Sequence, residues 1–304
     1  MRDNAQPLVS VRVITYNHEK YIAQCLEGIL MQRVNFPFEV IVGEDCSTDR
    51  TREIVLAYGQ KYPEIIRVII SENNVGGFRN VLRVQQACRG KYNILCEGDD
   101  YWIDPLKLQK QVDFMEAHLE VSMCFHDAFV VRSDKSAMPD YACLPALPER
   151  LTIGDLLRLN LVIPTASALA RSEILASLPE WRKDIRYGDL LFRLWCAHHG
   201  DLGYLGDVMS VYRVHPGGMM ISNHSLELHY SSVIDIYRRF DIETGRQYSD
   251  LIKQAIKGFN EEYRFELIKK RLGWFGFLLR PDKAIERLQK YANLFKRYRK
   301  MYSR

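Results

Sequence analysis

Four short polar clusters in the first third of the chain hold residue types that could bind a charged ligand. They are Thr15-Tyr16-Asn17, Glu44-Asp45, Ser71-Glu72-Asn73-Asn74-Val75-Gly76-Gly77 and Glu97-Gly98-Asp99-Asp100, and each directly follows a short apolar run. Together they carry six carboxylates. If the fold brings the clusters to one edge, that many like charges need a cation or hydrogen-bond donors to balance them. A divalent metal with a phosphate ligand is the economical answer. What is missing narrows the ligand. The turn after the first apolar run has no glycine, so the G-x-G-x-x-G dinucleotide fingerprint is absent, and no G-x-x-x-x-G-K-[ST] phosphate loop occurs anywhere. That argues against dehydrogenases and P-loop nucleotidases. Without a glycine-rich cradle, a diphosphate needs its charge neutralised mainly by metal. Mg²⁺ or Mn²⁺ held by one or two carboxylates plus substrate oxygens suits Asp99 and Asp100.

The elements that must position these clusters follow from hydrophobic period. Leu8 to Thr15 reads as a buried strand, and Ile22, Cys25, Leu26, Ile29 and Leu30 form one apolar stripe on a helix from about His18 to Gln32. Phe38 to Val42 is a second strand. Ser47, Thr48 and Asp49 are suited to capping a second helix, which Thr51, Ile54, Val55, Tyr58 and Tyr62 continue. Ile65 to Ile70, Phe78 to Cys88 and Tyr92 to Cys96 complete a β-α-β-α-β-α-β order. That order predicts an α/β fold, Rossmann-related, with a mostly parallel sheet flanked by helices. In such sheets ligands bind at the carboxyl ends of the strands, which is where the four clusters lie.

In order along the chain, Val11-Arg12-Val13-Ile14-Thr15-Tyr16-Asn17, Glu44-Asp45-Cys46-Ser47-Thr48-Asp49, Asn74-Val75-Gly76-Gly77 and Glu97-Gly98-Asp99-Asp100-Tyr101-Trp102 resemble a family-2 glycosyltransferase of the GT-A fold. The resemblance spans about residues 8 to 220. It implies an inverting, metal-dependent enzyme that moves one sugar from a nucleoside-diphosphate sugar, UDP or dTDP favoured, to a glycan or lipid-linked hydroxyl acceptor in bacterial surface-glycan assembly. By the same resemblance, Thr15, Tyr16, Asn17, Glu44, Asp45, Arg79 and Glu97 contact the nucleotide. Asp99 ligates Mn²⁺ or Mg²⁺, helped by Asp100 and His215. Trp102 and Arg213 contact substrate, with Trp102 forming part of the floor under the donor sugar or acceptor. Asp189 is the general base, needed because a sugar hydroxyl is a weak nucleophile at neutral pH. Gly188 stands where the family usually has an acid, and Glu97 where it usually has an aspartate. Pro216-Gly217-Gly218-Met219-Met220 has the composition of a lid. Two other classes share parts of this pattern: a catalytically inactive nucleotide-sugar or glycan-binding protein on the same fold, and a nucleotidyltransferase. The second wants a glycine-rich first loop, and the chain has none.

The domain plan is a glycosyltransferase unit over 1–222, with a nucleotide half to about 104 and an acceptor half over about 105–222. A helical, basic extension over 223–304 follows. The formal net charge of +4 hides an asymmetry: residues 251–304 carry 15 basic and 5 acidic residues, which leaves −6 on the rest. A mildly acidic body argues against nucleic acid as a partner. In the tail, Ile285, Leu288, Tyr291, Ala292, Phe295, Tyr298 and Met301 share one helical face, with Lys and Arg crowding the other. Such a helix suits peripheral contact with an anionic membrane or packing on protein. Seven scattered cysteines without a C-x-x-C pair, a polar N-terminus and no span-length apolar run give the expectation of a cytoplasmic chain, at the inner membrane face if the tail binds there. Oligomeric state is not set by the sequence.

Overall fold

The computed structural model describes residues 6–132, 140–141, 147–159, 161–218 and 226–272. Met219, Met220 and the tail face from Ile285 to Met301 lie outside the described residues. The chain divides into two compact units, Met1–Ser222 and Asn223–Arg304.

The first unit opens with β1 (Val9–Thr15), α1 (Ile22–Leu30), β2 (Phe38–Glu44), α2 (Thr51–Lys61), β3 (Ile66–Ile70), α3 (Gly77–Gln86) and β4 (Tyr92–Glu97). Val9, Val11 and Val13 alternate along β1 and are fully buried, as are Ile22, Cys25, Leu26 and Ile29 of the α1 stripe. Each such side chain contributes roughly 1.5–3 kcal/mol of burial, so the two periods fix both elements against one core. Helix α1 begins at Ile22 rather than His18, because Asn17 has a left-handed φ of 55° and the His18 N–H is taken by the Thr51 hydroxyl at 2.8 Å. The intervening turn instead feeds the Tyr21 and Ile22 N–H groups to the His18 carbonyl.

The second half of the unit contains β5 (Tyr101–Trp102), α4 (Lys107–Ala117), β6 (Val121–Arg132), β7 (Asp140–Tyr141), β8 (Arg150–Leu151), α5 (Ile153–Leu159), β9 (Leu169–Arg171), α6 (Ser172–Ala176), α7 (Gly188–His199) and β10 (Asp201–Val214). All ten strands join one sheet, with a main path β3-β2-β1-β4-β9-β6-β10-β5 and with β7 on β6 and β8 on β10. The pairs β3–β2, β2–β1 and β1–β4 are parallel, as is the long β6–β10 pair. Antiparallel pairing enters through the short strands β5, β7, β8 and β9. A mostly parallel first half places four strand ends side by side. The β10–β5 pair then brings Ser210 and Val211 against Trp102 and Tyr101, which swings the end of β10 toward those strand ends.

The loops after β1 and β2 are stitched together reciprocally. Asn17 N–H donates to the Ser47 hydroxyl at 3.0 Å, and the Asn17 side-chain oxygen accepts from Thr48 N–H at 2.8 Å. Asp49 accepts from Glu19 N–H and Thr51 N–H, while the Glu19 carboxylate accepts from Arg50 N–H.

The second unit contains α8 (Leu226–Glu243) and α9 (Ser249–Leu272), which pack through an aromatic cluster of Tyr230, Tyr237, Phe259 and Tyr263. Among the described residues no helix is long and apolar enough to cross a membrane. Cys25, Cys46, Cys88, Cys96, Cys124 and Cys196 are all free thiols.

Candidate active site

The site forms where β1, β2 and β4 end and β10 returns. Asp99 is its centre. Its carboxylate accepts a hydrogen bond from His215 Nε2 at 3.0 Å, and His18 Nε2 lies 3.9 Å from the same oxygen. Tyr21 packs its ring 4.7 Å from that of His215 and holds this side of the pair. Beneath them, Gly98 leaves a small polar space: a Cβ there would come within 2.8 Å of Thr15 Oγ1 and 2.9 Å of His18 Nδ1. Both atoms are buried without a hydrogen-bond partner among the described residues.

Arg213 ties β10 to the Asp99-Asp100 turn. Its N–H donates to Asp100 Oδ1 at 2.9 Å, and its guanidinium donates to the Asp99 carbonyl and to Gln24 Oε1. The guanidinium lies between the Tyr101 and Tyr21 rings, 4.3 and 5.1 Å from their centroids. That arrangement suits a planar cation that is already satisfied by protein.

The electrostatics are those of crowded acids. Glu97 is pushed up to about 8, first by burial and then by the charges of Asp99 and Asp189. Asp100 is also raised, by burial and then by Asp99 and Glu97. Tyr212 is raised by burial and by the same set of carboxylates, Asp189 included. Asp189, in the first turn of α7, therefore acts on the same acidic face, although its side chain is 47% exposed and also meets Arg193 at 3.3 Å. His18 is lowered, chiefly by burial.

The structure gathers Thr15, Glu97, Asp99, Asp100, Arg213 and His215, and places Asp189 within electrostatic reach of them. Tyr16 is exposed at the rim, and Arg79 is exposed in the first turn of α3. Asn17 is exposed and engaged with the neighbouring loop. Asp45 is buried, and its carboxylate accepts from Val75 N–H at 2.8 Å and Gly76 N–H at 2.9 Å. Gly76 has φ +86°, a conformation that side chains resist, so this grip shapes the Asn74–Gly76 turn.

Two expected contact residues are closed off from the opening, and a third is buried beside Asp99. Glu44 offers no surface to a nucleotide: its side chain is fully buried, with one oxygen on Ser47 N–H and the other on Arg52 Nε, both at 2.6 Å. Trp102 is not a substrate floor. It is 1% exposed, donates from Nε1 to the Ala166 carbonyl and carries the Lys107 ammonium 4.1 Å above its ring. Asp100 is fully buried: its Oδ1 accepts from Arg213 N–H, and its Oδ2 is enclosed without a hydrogen-bond partner among the described residues. His18 and Tyr21 are functional candidates that the spacing analysis passed over. The available signal was that His18 continues the polar cluster after the first strand.

Among the described residues no group of three or more His, Cys, Asp and Glu is arranged to hold a metal ion. Asp99 with His215 nonetheless fits a hard or borderline divalent cation that takes its remaining ligands from diphosphate and water. The acid crowding around Glu97 is the potential such an ion would neutralise.

Acids and a histidine thus meet at the carboxyl ends of the strands, the edge at which open α/β sheets bind their ligands. Residues 10–177, more than half of the chain, match the model described as glycosyl transferase family 2, and the chain belongs to that family. An uncharacterized protein of Mycobacterium tuberculosis is 35% identical over 225 residues, covering 71% of this chain and 62% of its own length. The chain thus spans under two thirds of that relative. Among solved structures, TarS of Staphylococcus aureus in complex with UDP-GlcNAc superposes with a TM-score of 0.64 at 22% identity, covering 87% of this chain and 74% of that one. The mannosyltransferase PcManGT of Pyrobaculum calidifontis, in complex with GDP-Man and Mn²⁺, gives a TM-score of 0.57 at 16% identity, covering 98% and 84%. These two likenesses establish the shared fold.

Proposed function

We propose that the chain catalyses metal-dependent, inverting transfer of one sugar from a nucleoside-diphosphate sugar, UDP- or dTDP-linked, to a hydroxyl of a glycan or lipid-linked acceptor in surface-glycan assembly. The observation that carries this reading is the convergence of Glu97, Asp99 and His215 at the strand ends, with the charge of Asp189 acting on the same face. The family membership supports it. So do the complexes of its structural neighbours, UDP-GlcNAc in TarS and GDP-Man with Mn²⁺ in PcManGT. The surface-glycan role draws on the name of TarS, a poly(ribitol-phosphate) β-N-acetylglucosaminyltransferase.

In this reading Thr15, Tyr16, Asp45, Arg79 and Glu97 bind the nucleotide, and Arg213 holds the Asp99 turn in place. Asp189 takes the proton from the acceptor hydroxyl as that oxygen bonds to the anomeric carbon. The bond from that carbon to the diphosphate breaks, and the diphosphate leaves with the electron pair, so configuration inverts. Mn²⁺ or Mg²⁺ held by Asp99 and His215, when bound, stabilises the charge on the leaving diphosphate.

Unit 1 serves as the transferase, with its donor half to about residue 104, and the basic extension serves peripheral membrane contact. The free thiols among the described residues suit the cytoplasm. Asp189→Asn tests the catalytic assignment: donor affinity is kept and transfer falls by at least a hundredfold. Equal transfer by the variant contradicts it. For the extension, equal vesicle flotation with and without residues 281–304 contradicts membrane contact.

A further inference from the structure

Helix α7 carries a charge that its packing does not ask for. Arg193 is over nine-tenths buried, and its Nε and one terminal nitrogen are enclosed without any hydrogen-bond partner among the described residues. Its other terminal nitrogen lies 3.3 Å from Asp189 Oδ2, one helical turn earlier. A guanidinium with two enclosed nitrogens left unpartnered is a stability liability, and an unbranched apolar side chain of similar length would pack here without it. An exposed i,i+4 pair would hold a helix together, but this pair is asymmetric, with the cation inside and the carboxylate 47% exposed. The gain from the charge must therefore be sought at Asp189.

We infer that Arg193 is the positioning residue of the base. It fixes one oxygen of Asp189 from within the helix, so that the other points outward to the acceptor hydroxyl. It also sets a positive charge beside a carboxylate whose other charged or titratable neighbours include Tyr187 on the lead-in to α7, Glu97 on β4 and Tyr212 on β10. This rests on the assignment of Asp189 as base. It adds that the chain keeps an under-satisfied buried cation, at the expense of stability, to orient that base.

The test compares full-chain wild type, Arg193→Met, Arg193→Lys and Asp189→Asn. Thermal unfolding is followed for each, together with nucleoside diphosphate release from UDP-GlcNAc, UDP-glucose and GDP-mannose with Mn²⁺. Arg193→Met is expected to unfold at the same temperature or higher, while kcat falls at least tenfold and donor KM stays within about twofold. Arg193→Lys, which keeps a cation, recovers part of the lost kcat. A midpoint several degrees lower, or failure to fold, in Arg193→Met makes the pair structural and overturns the inference. So does an unchanged kcat in Arg193→Met when Asp189→Asn is inactive. Full turnover by Asp189→Asn removes the base assignment itself, and the inference with it.

Discussion

Lys107 lies fully buried under the site, its ammonium bonded to Gln111 Oε1 at 2.6 Å and set over the Trp102 ring. Burial lowers it from 10.5 to about 7, against weaker opposing contributions from Cys96, Cys124 and Asp104. Between pH 7 and 10.5 the unfolded chain holds the proton that the folded chain has released. The unfolded state then binds more protons, and stability rises with pH across that window. A shift of about 3.5 units corresponds to an upper bound on the order of 5 kcal/mol. Lys107→Met removes this dependence. Near neutral pH it also relieves the buried charge, offset by about 1–3 kcal/mol for the abandoned Gln111 acceptor and about 1–2 kcal/mol for the ring contact. The assay is urea unfolding of both proteins from pH 6 to 10. The difference in free energy between wild type and variant should move in favour of the wild type as pH rises, by several kcal/mol across the window. A difference that stays flat with pH refutes the reasoning, because other titrating groups are common to both chains.

Three further outcomes follow from the geometry. Trp102→Ala should cost roughly 3–5 kcal/mol of stability while donor KM in the folded protein stays unchanged; a raised KM without destabilisation would restore Trp102 to the substrate floor. Asp45→Asn replaces an acceptor oxygen with a donor beside Val75 and Gly76, so amide hydrogen exchange across 74–77 should accelerate, and unchanged protection would contradict the grip described. Glu44→Gln should lower stability, since the buried partner of Arg52 is lost, and leave nucleoside diphosphate affinity unaltered.

What was legible in the sequence was whatever period and adjacency encode. Valines at every second position of β1 and a stripe at helical spacing in α1 set the first half of the fold, and the polar residues after each strand set the edge on which the site lies. Adjacency does not say which of two neighbouring acids faces the opening. Glu44 turned inward to Arg52, and Asp100 put one oxygen on Arg213 N–H, partners supplied by other segments. Trp102 was misplaced because β5 is two residues long and owes its position to pairing with distant β10, which no local pattern reports. His18 was missed for a related reason, since its nearness to Asp99 and His215 exists only once β4 pairs with β1 and the end of β10 returns to the same edge.

The central claim is a donor site in which Asp99 holds the ion that binds the diphosphate. Its most direct test is thermal unfolding of wild type and Asp99→Asn with UDP, dTDP, GDP, CDP or ADP, each in Mn²⁺, Mg²⁺ or EDTA. A nucleotide at about a hundred times its dissociation constant adds about 2.7 kcal/mol, a shift of a few degrees. The account predicts that shift for a pyrimidine diphosphate with metal, and its loss both in EDTA and in Asp99→Asn. An equal shift in EDTA or in the variant, or none with any nucleotide, would contradict it.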